Sequence, residues 1–398
     1  MTIKARILTR TVIVLSVVSL LNDVSSEMLY PVMPLYLKDI GFTVLMIGIL
    51  EGIAEAVAGL SKGYFGKLSD IKGTRLPFVQ FGYFLSSAGK SLVGAIQKPA
   101  AVLVFRSLDK VGKGVRTGAR DAMLSDETTP ATKGQVFGFH RGMDTLGAVL
   151  GPAIALGYLY FKPGSYRPLF LIAFFPSIAG VALLWLVKQK PLEPVKNAKP
   201  YSFLAFIHYL KESSPDYRKL FAGLVAFALF NSSDMFILLM AKARGFNNTE
   251  ILSIYIFYNL VYAMFSYPMG IIADKIGLKR IFLLGLAFFA IVYAGLAINT
   301  NLYVYFVLIF LYGLYAAATD GISKAWITNV CHKRDTATAI GTYSAFSSIA
   351  AMVASAAAGL IWYKVSPQAM FLTSAGGVAL VVVYFLLWKE DEGWKMEG

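Results

Sequence analysis

Cysteine occurs once, at Cys331, and histidine three times, at His140, His208 and His332, in a chain of 398 residues. A single thiol excludes an internal disulfide. So few soft ligands exclude a transition-metal cluster, although a metal carried as an organic chelate stays open. Charge is scarce too: 15% of residues are Asp, Glu, Lys or Arg, against about 25% in an ordinary soluble domain. Nucleotide loops are incomplete. Ala88-Gly-Lys90-Ser91 has the end of a phosphate-binding loop, but Phe84 stands where its first glycine belongs. Gly112-Lys-Gly114 has no strand before it. No cofactor is therefore expected, and any energy must come from an ion gradient or from the substrate's own.

Apolar residues fill the space that charge leaves, at 57% of the chain. Runs of roughly 20 apolar residues recur, each long enough for a hydrocarbon core of about 30 Å. They are continuous rather than alternating, which excludes a transmembrane barrel. The expected architecture is an all-α integral membrane protein with spans at roughly 11–37, 43–62, 76–97, 99–124, 134–161, 168–188, 218–241, 250–271, 280–298, 301–329, 337–362 and 368–388. The opening Lys4–Arg10 and Thr11–Leu21 imitate a secretory signal. No small-residue cleavage site follows, so an uncleaved first span is expected.

The formal charge of +14 is distributed by side. Roughly 23 Lys and Arg, Arg120 among them, fall in segments assigned to one face, against about 7 on the other: Lys38, Lys98, Lys162, Arg167, Lys242, Arg244 and Lys364. The rich face is the cytoplasm by the positive-inside rule, which puts both termini there and the chain in the cell membrane. The basic balance thus orients the protein in a bilayer, and nucleic acid is not an expected partner. The longest polar interruption, 188–218, holds Pro191 and Pro194. It divides the chain into a six-helix bundle at 1–187, a cytoplasmic linker, and a second six-helix bundle with a short tail at 219–398.

These halves repeat. Gly66-Lys-Leu-Ser-Asp70-Ile-Lys-Gly73-Thr-Arg75 recurs as Gly270-Ile-Ile-Ala-Asp274-Lys-Ile-Gly277-Leu-Lys279-Arg280, every position 204 later. The duplicated loop, its place between the second and third spans of each half, and the span count resemble the major facilitator superfamily of secondary transporters over essentially the full length. The resemblance implies a twelve-helix fold in two pseudo-symmetric halves, alternating access, and a latching role for Asp70 and Asp274 at cytoplasmic helix ends. The first copy departs from the pattern, with Ile71 where a basic residue usually follows the Asp. Gly138, Gly147, Gly151 and Pro152 are similar to the antiporter motif of the drug-efflux branches, with Ala155-Leu156 where that motif has a glycine pair. Small residues there let helices approach closely.

Ionisable residues inside the spans are costly unless paired. The first half carries Asp23, Glu27, Glu51, Glu55, Lys90, Arg106, Asp109, Lys110, Lys113, Arg116, Arg141 and Asp144, acids and bases in equal number. At about 1.5 Å per residue, Asp23, Glu51, Lys90 and Arg106 form a layer roughly 18–21 Å from the cytoplasmic edge. Glu55, Asp109, Lys110, Lys113, Arg141 and Asp144 form another at roughly 9–15 Å. Lys113 and Arg116 are expected to snorkel to the interface. Asp23 or Glu51 is the expected proton carrier. The second half offers instead Asn231, Ser232, Asp234, Tyr255, Tyr258, Asn259, Tyr262, Tyr312 and Tyr315, the expected wall of a substrate cavity, since Tyr pairs an apolar face with a polar tip.

The expected function is proton-linked efflux of a small amphipathic organic compound by a monomer. A rival is proton-coupled import of an organic anion or metal chelate, drawn by Arg106, Lys110 and Arg141. A rival from another class is an intramembrane serine hydrolase, because Gly59-Leu-Ser61-Lys-Gly63 has the G-x-S-x-G form. Ser61 has no histidine in its own span, and it is expected to pack the cytoplasmic end of span two. The chain is not expected to be an enzyme.

Overall fold

In hydrocarbon a backbone amide finds no partner but its own chain, so an apolar run of span length closes into a helix. A computed structural model describes residues 7–96, 98–189 and 202–388. The Lys4–Arg6 start, the prolines of the linker and the tail from Lys389 onward lie outside the described residues.

Helices run α1 Arg10–Leu29, α2 Met33–Asp39, α3 Val44–Lys72, α4 Leu76–Ala95, α5 Pro99–Asp126, α6 Lys133–Phe161 and α7 Arg167–Leu183. A short α8, Tyr209–Glu212, follows. Then come α9 Pro215–Ala228, α10 Met235–Ala243, α11 Asn248–Ile276, α12 Leu278–Ile298, α13 Leu302–Val330, α14 Thr336–Lys364 and α15 Pro367–Leu387. The 204-residue repeat carries into the bounds, since α3 and α11 begin and end 204 positions apart. Each follows a glycine of positive φ, Gly41 at 92° and Gly245 at 88°.

Two expected spans are broken. The first, 11–37, gives way at Tyr30–Val32 between α1 and α2, where Pro31 has no amide to donate. The seventh, 218–241, gives way at 229–234 between α9 and α10. There Asn231, Ser232, Ser233 and Asp234 offer side chains that compete for backbone partners. Ser233 Oγ accepts from the Met235 amide at 3.3 Å, and the Ser233 amide donates to Ser355 Oγ at 3.1 Å. Among the described residues eight helices are, by length and composition, long and apolar enough to cross a membrane, and α3, α4 and α5, which carry most of the ions, are not among them.

Contacts divide the chain into two units. The first comprises Met1–Thr129, Phe139–Tyr209 and Lys333–Ala345. In it α5 packs against α3 and α4, and α7 against α1 and α4. The second comprises Pro130–Gly138, Leu210–His332 and Phe346–Gly398. Its α13 packs against α9, α11 and α12, and α15 against α9 and α12. The first turns of α6 and α14 thus belong to a different unit from the rest of their helices. Rings at helix ends, Tyr160, Tyr303 and Tyr363 among them, are about four-fifths exposed, as in the aromatic belts of membrane interfaces.

Candidate functional site: a buried ion network and a tyrosine wall

In the first unit the ions of α1, α3, α5 and α6 meet one another. Arg106 Nε and Nη2 donate to both oxygens of Glu51 at 2.9 and 3.2 Å, and Nη1 reaches Asp109 at 3.3 Å. Ser86 also donates to Asp109, and Lys110 pairs with Glu55. Arg141 Nη1 holds Asp144 at 2.7 Å, with Ser19 Oγ donating to the other carboxylate oxygen at 2.5 Å. Lys90 Nζ reaches neutral partners, Asn22 Oδ1 at 3.1 Å and Ser26 Oγ at 2.9 Å. The i,i+3 and i,i+4 strides along α5 make this possible, because they put Arg106, Asp109, Lys110 and Lys113 on one face.

Asp23 differs from the rest. No ion pair joins it to a cation among the described residues; Asn22 Nδ2 donates to its Oδ1 at 3.4 Å, and Asp144, Lys113 and Glu27 are its electrostatic neighbours. The two expected layers therefore blur. Asp109 joins Arg106 from the layer above, because a guanidinium on its long stem reaches a turn along the helix, and Asp23 neighbours Asp144 from the layer below, because α6 lies directly on α1 there.

Arg120, counted with the basic residues of the rich face and within the 99–124 span, is a residue of α5 and 7% exposed. It pairs with the fully buried Asp121 at 2.8 Å and donates to Ser19 Oγ at 3.2 Å. Arg116 does not snorkel: it is buried, with its guanidinium 4.3 Å from the centre of the Tyr83 ring. Both continue the stride of Arg106, Lys110 and Lys113, which was the available signal; Asp121 had none beyond adjacency. With Arg120 and Asp121 the ion set still balances in sign.

The efflux-like motif lies beside this network. A Cβ on Gly147 would stand 2.8 Å from Asp23 Cβ and from Leu20 O, and one on Gly151 2.7 Å from Val24 O. Bare Cα atoms there let α6 lie directly on α1 where α1 carries Asp23. Pro152 sits inside α6. Gly138, in the second unit, faces Ser266 O of α11.

The duplicated loops each hold a helix start. Asp70 Oδ2 accepts from the Thr338 amide at 2.7 Å and its hydroxyl at 2.9 Å, in the first turn of α14. Asp274 accepts from the amides of Gly134 and Gln135 at 2.7 and 2.8 Å, in the first turn of α6. A carboxylate at a helix N-terminus meets free donors and the positive end of the dipole. The copies differ in their bases. Arg75, fully buried, pairs with Asp70 at 3.2 Å and also with Asp126. Lys279 turns from Asp274 to the Trp388 carbonyl. Gly66 and Gly270 lie against Ala337 and Gly134, and Gly73 and Gly277 end α3 and α11 with positive φ.

Of the expected cavity residues, four line one narrow cleft in the second unit: Asp234, Tyr255, Tyr258 and Tyr312, with Ile237, Leu238, Ile254 and Ile309. Its volume is about 10 Å³, room for one water. The other five are elsewhere. Asn259 is buried and spends its amide on the Tyr255 carbonyl at 3.0 Å. Tyr315 is buried among Phe227 and Phe289, and Tyr262 donates to Asp320 at 2.6 Å. Asn231 and Ser232 belong to the break before α10, where Asn231 Oδ1 has no hydrogen-bond partner. Ser61, of the hydrolase-like string, is buried against Gly114 of α5.

The Major Facilitator Superfamily family model matches residues 15–240 and 219–395. The chain belongs to the major facilitator superfamily. It is 35% identical to an uncharacterised MFS-type transporter of Methanocaldococcus jannaschii, over 96% of this chain and 95% of that one. It is 24% identical to Citrate exporter 1 of Aspergillus niger, over 46% of this chain and 34% of the relative. Among solved structures it resembles the human organic anion transporter MFSD10 (TETRAN), with TM-score 0.80 at 17% identity over 94% of this chain and 99% of that one. The E. coli fucose:proton symporter FucP superposes with TM-score 0.71 at 13% identity over 97% of this chain and 100% of that one. The protein is thus an all-α integral membrane transporter with the twelve-helix major facilitator fold.

Proposed function

We propose that this major facilitator protein exports a small organic compound in exchange for protons, and that the Asp23–Asp144 pair carries the proton. The close approach of α6 to α1 at Asp23, where a Cβ on Gly147 would stand 2.8 Å from Asp23 Cβ, carries the reading, since it brings Asp144 of α6 beside Asp23 as an electrostatic neighbour. Two neighbouring acids within membrane spans repel when both are ionised, and one shared proton relieves that repulsion. Arg141 holds Asp144, so Asp23 is the member without a dedicated cation and the one that exchanges the proton. Its gain or loss changes the interaction of α1 with α6 at Gly147 and Gly151, and a charge change on a packed pair of helices shifts which packing is populated. Glu51 is the weaker candidate, because Arg106 grips both its oxygens.

The names of partial relatives, an exporter among them, support the outward direction. Import of an organic anion is disfavoured, since Arg106, Lys110 and Arg141 are each matched to an acid of the protein.

The test is flux in proteoliposomes carrying an internal pH dye. Candidate compounds are screened for substrate-dependent alkalinisation or acidification. Asp23→Asn and Asp144→Asn are expected to remove the pH-coupled component by about tenfold or more, while Glu51→Gln retains it. Normal pH coupling in Asp23→Asn would remove Asp23 from the mechanism.

A further inference from the structure

Two carboxylates of the second unit are joined by a column of tyrosines. At one end Tyr312 Oη donates to Asp234 at 2.7 Å. At the other Tyr262 Oη donates to Asp320 at 2.6 Å. Between them the rings of Tyr312 and Tyr258 are 5.0 Å apart, and those of Tyr258 and Tyr262 are 6.0 Å apart. Tyr258 and Tyr262 are one turn apart on α11. Tyr312 and Asp320 are separated by eight residues of α13, about 12 Å of rise. The column therefore runs along the helices rather than across them.

The face of an aromatic ring is negative, and it attracts a cation within about 6 Å of its centre. Tyr255 and Tyr258 are half-buried, so part of each ring remains open beside Asp234. Among the described residues no Lys or Arg lines this cleft, and the rest of its wall is Ile and Leu. An anion would meet ring faces and a carboxylate with no cation of the cleft to oppose them. A cation with apolar substituents would meet charge, ring faces and aliphatic surface together.

We propose that the substrate of this wall is a lipophilic organic cation, seated at the Asp234 end of the column against the rings of Tyr255 and Tyr258. The proposal rests on the transport reading and goes past it, since proton-coupled export fixes neither the sign nor the shape of the cargo. The cleft holds about one water, so seating such a cation requires its wall to widen.

Equilibrium dialysis of the purified full-length protein in detergent, with protein-free micelles as the blank, compares tetraphenylphosphonium with tetraphenylborate. These ions are nearly the same shape and opposite in charge. The phosphonium ion is expected to bind at least about tenfold more tightly than the borate. Asp234→Asn is expected to weaken phosphonium binding about tenfold or more. Tyr258→Ala is expected to do the same, while Tyr258→Phe, which keeps the ring face, stays within about threefold of the unmodified protein. Equal or tighter binding of the borate overturns the proposal. So does binding of neither ion, an unchanged affinity in Asp234→Asn, or equal loss in Tyr258→Phe and Tyr258→Ala. If Asp234→Asn does not fold, the two-ion comparison on the unmodified protein decides. Failure of the transport reading looks different: the protein would bind the phosphonium ion yet show no substrate-coupled pH change in proteoliposomes.

Discussion

Asp121 is fully buried within α5, with Arg120 as its ion-pair partner. Removing one member of a buried pair leaves the other charge uncompensated, at a cost of about 3–5 kcal/mol. Arg120→Ala is therefore expected to lower the melting temperature sharply in a thermal unfolding assay of the solubilised protein. Arg120→Met combined with Asp121→Leu removes both charges and is expected to recover most of that loss. If the single and double variants melt alike, the pair is not what holds this part of α5. The need for paired ions was legible from composition, because six acids and six bases within spans cannot stand alone. Which partner each ion takes was legible only in part: Asp109 and Asp144 sit three residues from Arg106 and Arg141 on their own helices, but Glu51 meets Arg106 through the crossing of separate helices.

Close approach of α6 to α1 is the feature that connects the ion network to helix packing. Gly151→Ala introduces a methyl group 2.7 Å from backbone atoms of α1, and overpacking of this kind costs about 1–3 kcal/mol. Gly157→Ala, on the same helix, meets nothing within 4 Å. It is expected to be neutral or slightly stabilising, since Ala is the better helix former by about 1 kcal/mol. Melting curves of the two variants check the contrast, and equal effects would mean that α6 does not press on α1 at Gly151. The existence of these helices was legible from apolar length. Their breaks lay outside that reading: the expected first span runs through Pro31, whose missing amide was the available signal, and Asn231–Asp234 passed as polar residues within a span, because Asn, Ser and Asp are each tolerated in a helix when a neighbour satisfies them.

Across the molecule the repeated loops act as a pair of unequal clasps on helix starts. Asp70→Asn is expected to speed amide hydrogen exchange at 337–340, because Asn cannot replace a carboxylate facing the Thr338 donors and Arg75. Asp274→Asn is expected to speed exchange at 134–136 by less, since Lys279 is engaged with Trp388 instead. Hydrogen-exchange mass spectrometry of the two variants reads both regions, and an unchanged rate at 337–340 would show that Asp70 does not fasten α14. A fluorescent reporter fused after Gly398 is expected to fold on the cytoplasmic side, as the distribution of Lys and Arg requires. Residue order was enough to establish a membrane protein, its helix count, its repeat and its expected orientation. Lipid offers the backbone no other partner than its own helix, and translocation of basic loops is unfavourable, so both constraints act on the chain locally. The nearness of Asp23 to Asp144, the burial of Arg120, and the grouping of Tyr258, Tyr262 and Tyr312 between two acids depended on how the helices cross. Contacts between side chains on different helices are set by interaxial distance and rotation, which no linear spacing encodes.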